Sequence, residues 1–380
     1  MVNLEKKTKR IILITSVIGI IIITISFPIY LFVPNLIFVK HVIDDSFWAA
    51  NYIAYADLDG DNDQDLLGCA YYGDDIAWWE FSEGNFTKHV IDSSFTRVIH
   101  VHPEDLDRDG DIDILATSEV LDQLAWWENN GTHFTKHVIT SSYDHPLRIN
   151  SIDFDNDGDI DILSTSINEV SWWENEGNLN FTQHAVSSDL NSTFDEHHHF
   201  IHAIDLNRDG NLDLVTGGAS TSHGGLFCWK NEGNGNFTKI IITNNYMRVH
   251  DVRTGDMDRD GDLDFVCGSF SSDELSWFEN GGDFNLIKHN IAINFDGSNG
   301  GFPCDLDKDG DMDVVGLAYN GEKISWFENV GFNNFNEHII SEDVDQATSC
   351  CVFDIDKDSD LDIFSAAGSE IAFWENTLSN

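Results

Sequence analysis

The chain has 380 residues, 20 of them Lys or Arg and 67 Asp or Glu, which gives a formal net charge of −47. An anion excess of that size opposes nucleic acid and anionic lipid as partners. Length alone suggests two domains, but an internal period of about fifty residues reduces these to one.

The chain opens on a basic tail, residues 1–10, carrying Lys6, Lys7, Lys9 and Arg10. Residues 11–34 contain no charged side chain, and Lys40 is the first cation after them. That stretch exceeds the ~20 apolar residues a helix needs to cross a bilayer. The positive-inside bias then predicts a cytoplasmic tail, one transmembrane signal-anchor helix over 11–34, and residues 35–380 outside the cell. Secretion after signal cleavage is the alternative, but no small-x-small cleavage site stands out.

Beyond residue 34 an aspartate ladder, D-x-D-x-D-G-x-x-D or a near variant, recurs seven times at intervals of 48 to 52 residues. Its members are Asp57, Asp59, Asp61, Asp63 and Asp65; Asp105, Asp107, Asp109, Asp111 and Asp113; and Asp153, Asp155, Asp157, Asp159 and Asp161. The fourth copy is Asp205, Asn207, Asp209, Asn211 and Asp213. The remaining three are Asp256, Asp258, Asp260, Asp262 and Asp264; Asp305, Asp307, Asp309, Asp311 and Asp313; and Asp354, Asp356, Asp358, Asp360 and Asp362. A second motif travels with the ladder: AWWEFSEGNFTKHVI from Ala77, AWWENNGTHFTKHVI from Ala125, and weaker copies in later repeats. Each repeat reads as four short strands. One leads into the aspartate loop and one leaves it; the third carries the tryptophans, and the fourth reads F-T-K-H-V-I after a Gly/Asn turn. Four strands per fifty-residue period is a propeller blade. The chain ends after a third strand, and Phe38 to Ile43 is a stray copy of the fourth. The expectation is an all-β, seven-bladed propeller closed by its N-terminal strand, which removes the free sheet edges.

Alternate carboxylates on a tight loop suit Ca²⁺, a hard cation that takes six to eight oxygens. In the second copy Asp105, Asp107, Asp109 and Asp113 supply side-chain oxygens and Asp111 its carbonyl, while Gly110 takes the sharp turn at positive φ. An EF-hand needs a glutamate at the twelfth position, where this chain has Gly68, Ala116 and Ser164 followed by strand. Up to seven Ca²⁺ are therefore expected. Asn207 and Asn211 lower the charge of the fourth loop, making it the loosest site. Asn62 and Ser359 replace the turn glycine in the first and last loops.

These repeats resemble the FG-GAP/VCBS family, whose calcium-loop blades also form integrin α-subunit propellers. The resemblance covers everything after residue 34. It implies that the calcium loops lie on the lower face, joining the first and second strands, and that binding surfaces lie on the opposite face. It implies a surface location and recognition rather than one reaction, and no integrin ligand is inferred.

Ten of the eleven tryptophans occupy third strands and read as packing; Trp48 alone lies in a connection of the upper face. Six histidines (41, 89, 137, 184, 289, 338) belong to the fourth-strand motif and read as structural. Others fall near the upper face. Counting back three from each ladder gives Ala54, His102, Asn150, His202, Arg253, Phe302 and Cys351, one side of the innermost strand. His100 and Arg148, two residues earlier, share it, and His250 is close by. These point either to a channel-mouth site for a metal, an acid–base step or a carboxylate grip, or to the polar lining of a water-filled channel. In a metal or acid–base site, activity should fall below about pH 6 as the imidazoles protonate. No carboxylate–histidine pair or nucleophile stands beside them, and no phosphate loop, G-x-S-x-G or H-E-x-x-H occurs. The six cysteines show no zinc or heme spacing, and a disulfide between Cys304 and Cys351 is compatible with their strands. Five N-x-S/T sequons permit glycosylation outside the cell.

The sequence thus predicts a membrane-anchored extracellular calcium propeller that recognises a protein or glycan. A surface carbohydrate-active enzyme of the lyase kind and a structural display module are the alternatives.

Overall fold

A computed structural model describes residues 36–187, 198–218, 224–233, 235–331 and 333–377. The basic tail and the expected membrane helix lie outside these residues, as do Asn191 and His223. Among the described residues no helix is long and apolar enough to cross a membrane.

The strands form seven four-stranded antiparallel sheets, six of them built from four consecutive strands. The first blade is Ala50–Ala56, Asp65–Ala70, Asp75–Ser82 and Asn85–Asp92. The seventh takes Ala347–Phe353, Asp362–Ala367 and Glu370–Asn376 from one end of the chain and Phe38–Asp44 from the other. Phe38 pairs with Asn376 and His41 with Phe373, so the ring closes by main-chain hydrogen bonds, as the stray motif implies.

Each second strand is buried along its whole length, as in DLLGCA and DILATS, because it lies between two neighbouring blades. This is why these strands read as continuous apolar or small runs rather than alternating ones. Adjacent tryptophans project to opposite faces of a sheet. Trp78 thereby joins the core between blades 1 and 2 and Trp79 the core between blades 7 and 1. Losing either indole would cost about 3–5 kcal/mol. The same alternation separates the cysteines: Cys350 shares the blade 6–7 core with Cys304, whereas Cys351 faces blade 1. All six are free buried thiols, so the Cys304–Cys351 bridge does not form.

The fourth-strand histidines are structural. His89, His137, His184, His289 and His338 each stack on a third-strand indole at 4.4–4.6 Å and bond through Nε2, at 2.6–2.8 Å, to the glutamate beside it. His41 makes the same pair with Phe373 and Glu375 across the closing seam. Blade 4, with Ile240 and Lys230 at these two positions, has lost both members together.

The seam gives a direct test. A chain starting at Asp45 lacks the outer strand of blade 7 and should melt at least about 5 °C below one starting at Asn35, whereas removing residues 1–34 leaves every blade intact. Equal melting temperatures for the Asn35 and Asp45 chains would mean that the seam does not hold the ring.

Candidate functional site

The lower face is built from the seven ladders. Consecutive loop aspartates fold the backbone around themselves: Asp59 Oδ1 accepts from the Asp61 amide at 3.1 Å and Asp61 Oδ1 from the Asp63 amide at 2.8 Å, and the pattern recurs in the other loops. The sixth residue takes positive φ throughout, at 100° for Gly110 and also for Asn62 (69°) and Ser359 (79°). The ninth aspartate is the keystone. Asp113 is fully buried; Oδ2 accepts from the Leu106 amide at 3.1 Å and Oδ1 from the Asn129 amide at 2.8 Å, tying the loop to the third strand. Burial pushes the carboxyls of Asp65, Asp113, Asp313 and Asp362 up to about 7, and those of Asp161, Asp213 and Asp264 to about 6, although these amides pull the other way.

The loops fit a hard cation. One oxygen each of Asp105, Asp107 and Asp113 lies within 4.8 Å of the others, and Asp153, Asp155 and Asp161 repeat the arrangement. Those separations match oxygens sharing one Ca²⁺ at 2.3–2.6 Å. Oδ1 of Asp105, Asp153, Asp256 and Asp354 is buried with no hydrogen-bond partner, a costly state for an anionic oxygen unless a cation meets it. The first, third, fifth and ninth side chains are the candidate ligands. The seventh has another use: Arg208 pairs with Asp262, Arg259 with Asp311, Lys308 with Asp360 and Lys357 with Asp63, each linking one loop to the next blade's. In the fourth loop the Asn207 and Asn211 amides donate to Asp209 at 2.8 and 2.9 Å, meeting within the loop a carboxylate that a cation would otherwise meet.

Two features here were not read from sequence. The asparagine closing the third-strand motif (Asn129, Asn175, Asn231, Asn280, Asn329, Asn376) supplies the amide that latches the ninth aspartate, and its side chain bonds a loop carbonyl. Its fixed spacing from the ladder was the available signal. The second is the run of ion pairs from loop 4 round to loop 1, signalled by a basic fourth residue in most ladders.

At the ring's centre the inner strands enclose a cavity of about 330 Å³. His102, Asn150, His202, Arg253 and Phe302 line it from the third position before the ladder, and Tyr52, His100, Arg148, Phe200 and Asp251 from the fifth. Of the side expected from the count of three, Ala54 and Cys351 do not reach it. Ala54 packs on the blade 1–2 core, and Cys351 is buried in the blade 7–1 core, against which Phe302 also packs. Tyr52, Phe200 and Asp251 were missed, although the count of five that singles out His100 and Arg148 selects them too. Arg253 donates through Nε to Asp251 at 2.9 Å and through Nη2 to the Tyr52 hydroxyl at 2.7 Å. Burial works against its charge, but Asp251 and Tyr52 hold it protonated beyond the usual range. Arg148 lies 5.2 Å from the Tyr52 ring centroid and donates to the His250 carbonyl at 3.0 Å.

Burial, with the arginine charges nearby, pushes His102 and His202 down to about 4 and His250 to about 3, and His100 well below its usual value. Protonation is thereby moved well below the pH 6 expected of free imidazoles. A carboxylate does approach this cluster: Ser151 Oγ donates to Glu104 at 2.7 Å, so His102 Nε2, 2.9 Å from that oxygen, is the donor and Nδ1 is left as an acceptor. Sequence could not show this, because the contact crosses from blade 2 to blade 3. His250 lies outside the cavity lining, its ring tilted against those of His199 and Phe270 at centroid distances of 4.8 and 5.4 Å. Trp48 is 62 % exposed, its ring 5.5 Å from that of Tyr72, so it stands on the upper rim. A larger hollow of about 660 Å³ lies outside, between blades 2 and 3, but His137 and Glu128 there are already bonded to each other at 2.7 Å.

No curated protein matches the chain. Among solved structures it resembles an Agrocybe aegerita lectin described as specifically recognising non-reducing terminal N-acetylglucosamine, at 17 % identity over 82 % of this chain and 81 % of that one, with a TM-score of 0.53. It also resembles virginiamycin B lyase from Staphylococcus aureus, at 12 % identity over 90 % and 99 % with a TM-score of 0.57. A third likeness is to BBS1N in complex with ARL6DN, at 9 % identity over 90 % and 97 % with a TM-score of 0.61. At these identities the likeness is one of fold. The FG-GAP-like repeat matches in six overlapping windows, 57–116, 105–164, 153–216, 205–267, 256–316 and 305–365, and the chain accordingly belongs to the FG-GAP-like repeat family.

Proposed function

We propose that this protein is a single-pass, membrane-anchored calcium propeller that faces outward and recognises a glycan through its upper face. The observation that carries the reading is the contrast between faces. The lower face is uniform aspartate, whereas the upper side offers the exposed Trp48–Tyr72 pair and a lumen holding two arginines. Arg97 adds its guanidinium 4.8 and 4.9 Å from the Tyr71 and Tyr72 ring centroids. Flat aromatic faces next to guanidinium donors and imidazole acceptors suit sugar rings and their hydroxyls. A screen of glycans and surface proteins tests this, with Trp48→Ala expected to weaken binding about tenfold. Unaltered binding by that variant to the ligand identified would remove the rim from the reading. The Glu104–Ser151–His102 chain favours a second reading, a surface carbohydrate-active enzyme; release of a cleaved product in the same screen would establish it.

Calcium in the loops is part of the proposal, supported by the oxygen spacing and the orphaned carboxylate oxygens. The ion would neutralise the crowded aspartates and supply the charge against which the buried ninth carboxylate remains ionised. Removing it with excess chelator should lower the melting temperature by more than about 10 °C, since each filled site adds roughly 2–3 kcal/mol at a hundredfold excess over Kd. A melt unchanged by chelator, in protein shown by metal analysis to carry none, would refute it.

The fourth loop should be the weakest site. Replacing Asn207 restores a carboxylate and removes the amide that now occupies Asp209. Asn207→Asp should therefore tighten one class of sites in a calorimetric calcium titration, and an isotherm identical to wild type would mean this loop does not bind the ion.

A further inference from the structure

We infer that the central cavity is a selective pocket for a single carboxylate borne on a small polyhydroxylated ring, the chemistry of a uronic acid. The inference deepens the reading of the upper face as a glycan-binding surface and rests on it.

The charge balance of the lumen argues for an anion. Asp251 neutralises Arg253, and the pair is tied down further by the Tyr52 hydroxyl. Arg148 makes no ion pair among the described residues: Asp251 favours its charge but is hydrogen-bonded to Arg253, the guanidinium's one hydrogen bond there is to the His250 carbonyl, and Tyr52 offers it a ring face. A guanidinium has five N–H donors, so most of Arg148's remain for a ligand. The imidazoles add no charge, because their neutral forms are favoured. The lumen therefore holds one uncompensated positive charge at the heart of a chain of net charge −47. An enclosed cation costs free energy until an anion joins it, and a guanidinium fork fits a carboxylate best. A single excess charge matches a monoanion rather than a sulfate or phosphate dianion.

The remaining groups suit hydroxyls. His100 is 5 % exposed, and its Nδ1 has no partner. Burial favours the neutral ring, whose unpartnered Nδ1 is left for a hydroxyl of a ligand. His102 likewise presents Nδ1, since its Nε2–H is given to Ser151. Acceptors of this kind call for ligand O–H donors, which a plain fatty or amino acid carboxylate does not offer. Phe302 provides an apolar wall. A volume of about 330 Å³ is at the lower end for ligand pockets and admits one sugar unit rather than a chain. A metal ion is disfavoured, since both guanidiniums would repel it.

The test is calorimetric titration of the full chain with glucuronate, galacturonate, glucuronamide, glucose, acetate and sulfate, in saturating calcium. At least one uronate should bind at least tenfold more tightly than glucuronamide, its neutral isostere, and more tightly than glucose, acetate or sulfate. Arg148→Met should lose that preference while keeping the calcium-dependent melt, and Arg148→Lys should recover part of it. Should Arg148→Met fail to fold, the comparison of glucuronate with glucuronamide on wild type decides alone. Equal affinity for acid and amide, tighter binding of sulfate, or no uronate binding at 50-fold the concentration that saturates the rim ligand would overturn the inference. The two readings fail separately. A glycan lost by Trp48→Ala while uronates do not bind keeps the upper-face proposal and sinks this one; uronate binding sensitive to Arg148, with no polymer found, does the reverse.

Discussion

The buried ninth aspartate of each ladder is the contact on which this molecule turns. Asp113 and its six counterparts bring a carboxylate into a sheet interior and hold it with one amide from the start of the loop and one from the third strand. Two hydrogen bonds to a charged acceptor are worth a few kcal/mol, less than the cost of burying the ion. That imbalance appears as the rise of these carboxyls to about 6 or 7. A cation on the other side of the same carboxylate would reverse it. Loop, inner strand and third strand are thus fixed by one group, and the inner strand carries the lumen with it.

Blade-to-blade cohesion follows from the same arrangement. Second strands and third-strand indoles, paired in blades 1–3 and single in blades 4–7, bury apolar surface between blades, which is non-directional and would tolerate small rotations. The ion pairs from Arg208, Arg259, Lys308 and Lys357 to the next loop are directional, but they lie at the surface and contribute little individually. They run from blade 4 through blade 7, whose outer strand is Phe38–Asp44, to blade 1. Blade 3, with Asn156 in place of the cation, has no such link, and the loop it would meet is the fourth, where Asn211 replaces the aspartate. Both partners are missing at the same junction, as are the histidine and glutamate of blade 4.

The sequence was most legible where one residue's role is decided within its own repeat. The ladder, the indole strand and the stray outer strand could be placed because period and alternation act over short range and are copied seven times. The lumen was half legible. A count of three before the ladder found His102, His202 and Arg253, and His100 and Arg148 were added at five, but Tyr52 and Asp251 share that fifth position and were overlooked because they are neither histidine nor arginine. Contacts between blades were beyond reach. Whether Ser151 meets His102, or Asp251 pairs with Arg253 rather than Arg148, depends on how neighbouring inner strands are rotated around the axis.

The seven repeats also serve as an internal comparison that separates scaffold from site. Positions one, five and nine of the ladder are aspartate in every copy, because each makes the same local contact. The third position before the ladder holds Ala, His, Asn, His, Arg, Phe and Cys, and the fifth holds Tyr, His, Arg, Phe, Asp, Gly and Ser. Blade packing demands nothing uniform there, since at each of these positions five of the seven side chains line the lumen instead of making a repeated contact within a blade. A fold shared with a lectin, a lyase and a partner-docking domain says little about which task is performed here. The non-repeating residues say more. A lumen that only needed to be wet would be served by serine and asparagine. Placing two guanidiniums there, with one carboxylate between them that is bonded to Arg253, leaves a positive charge that an anion entering from outside would match.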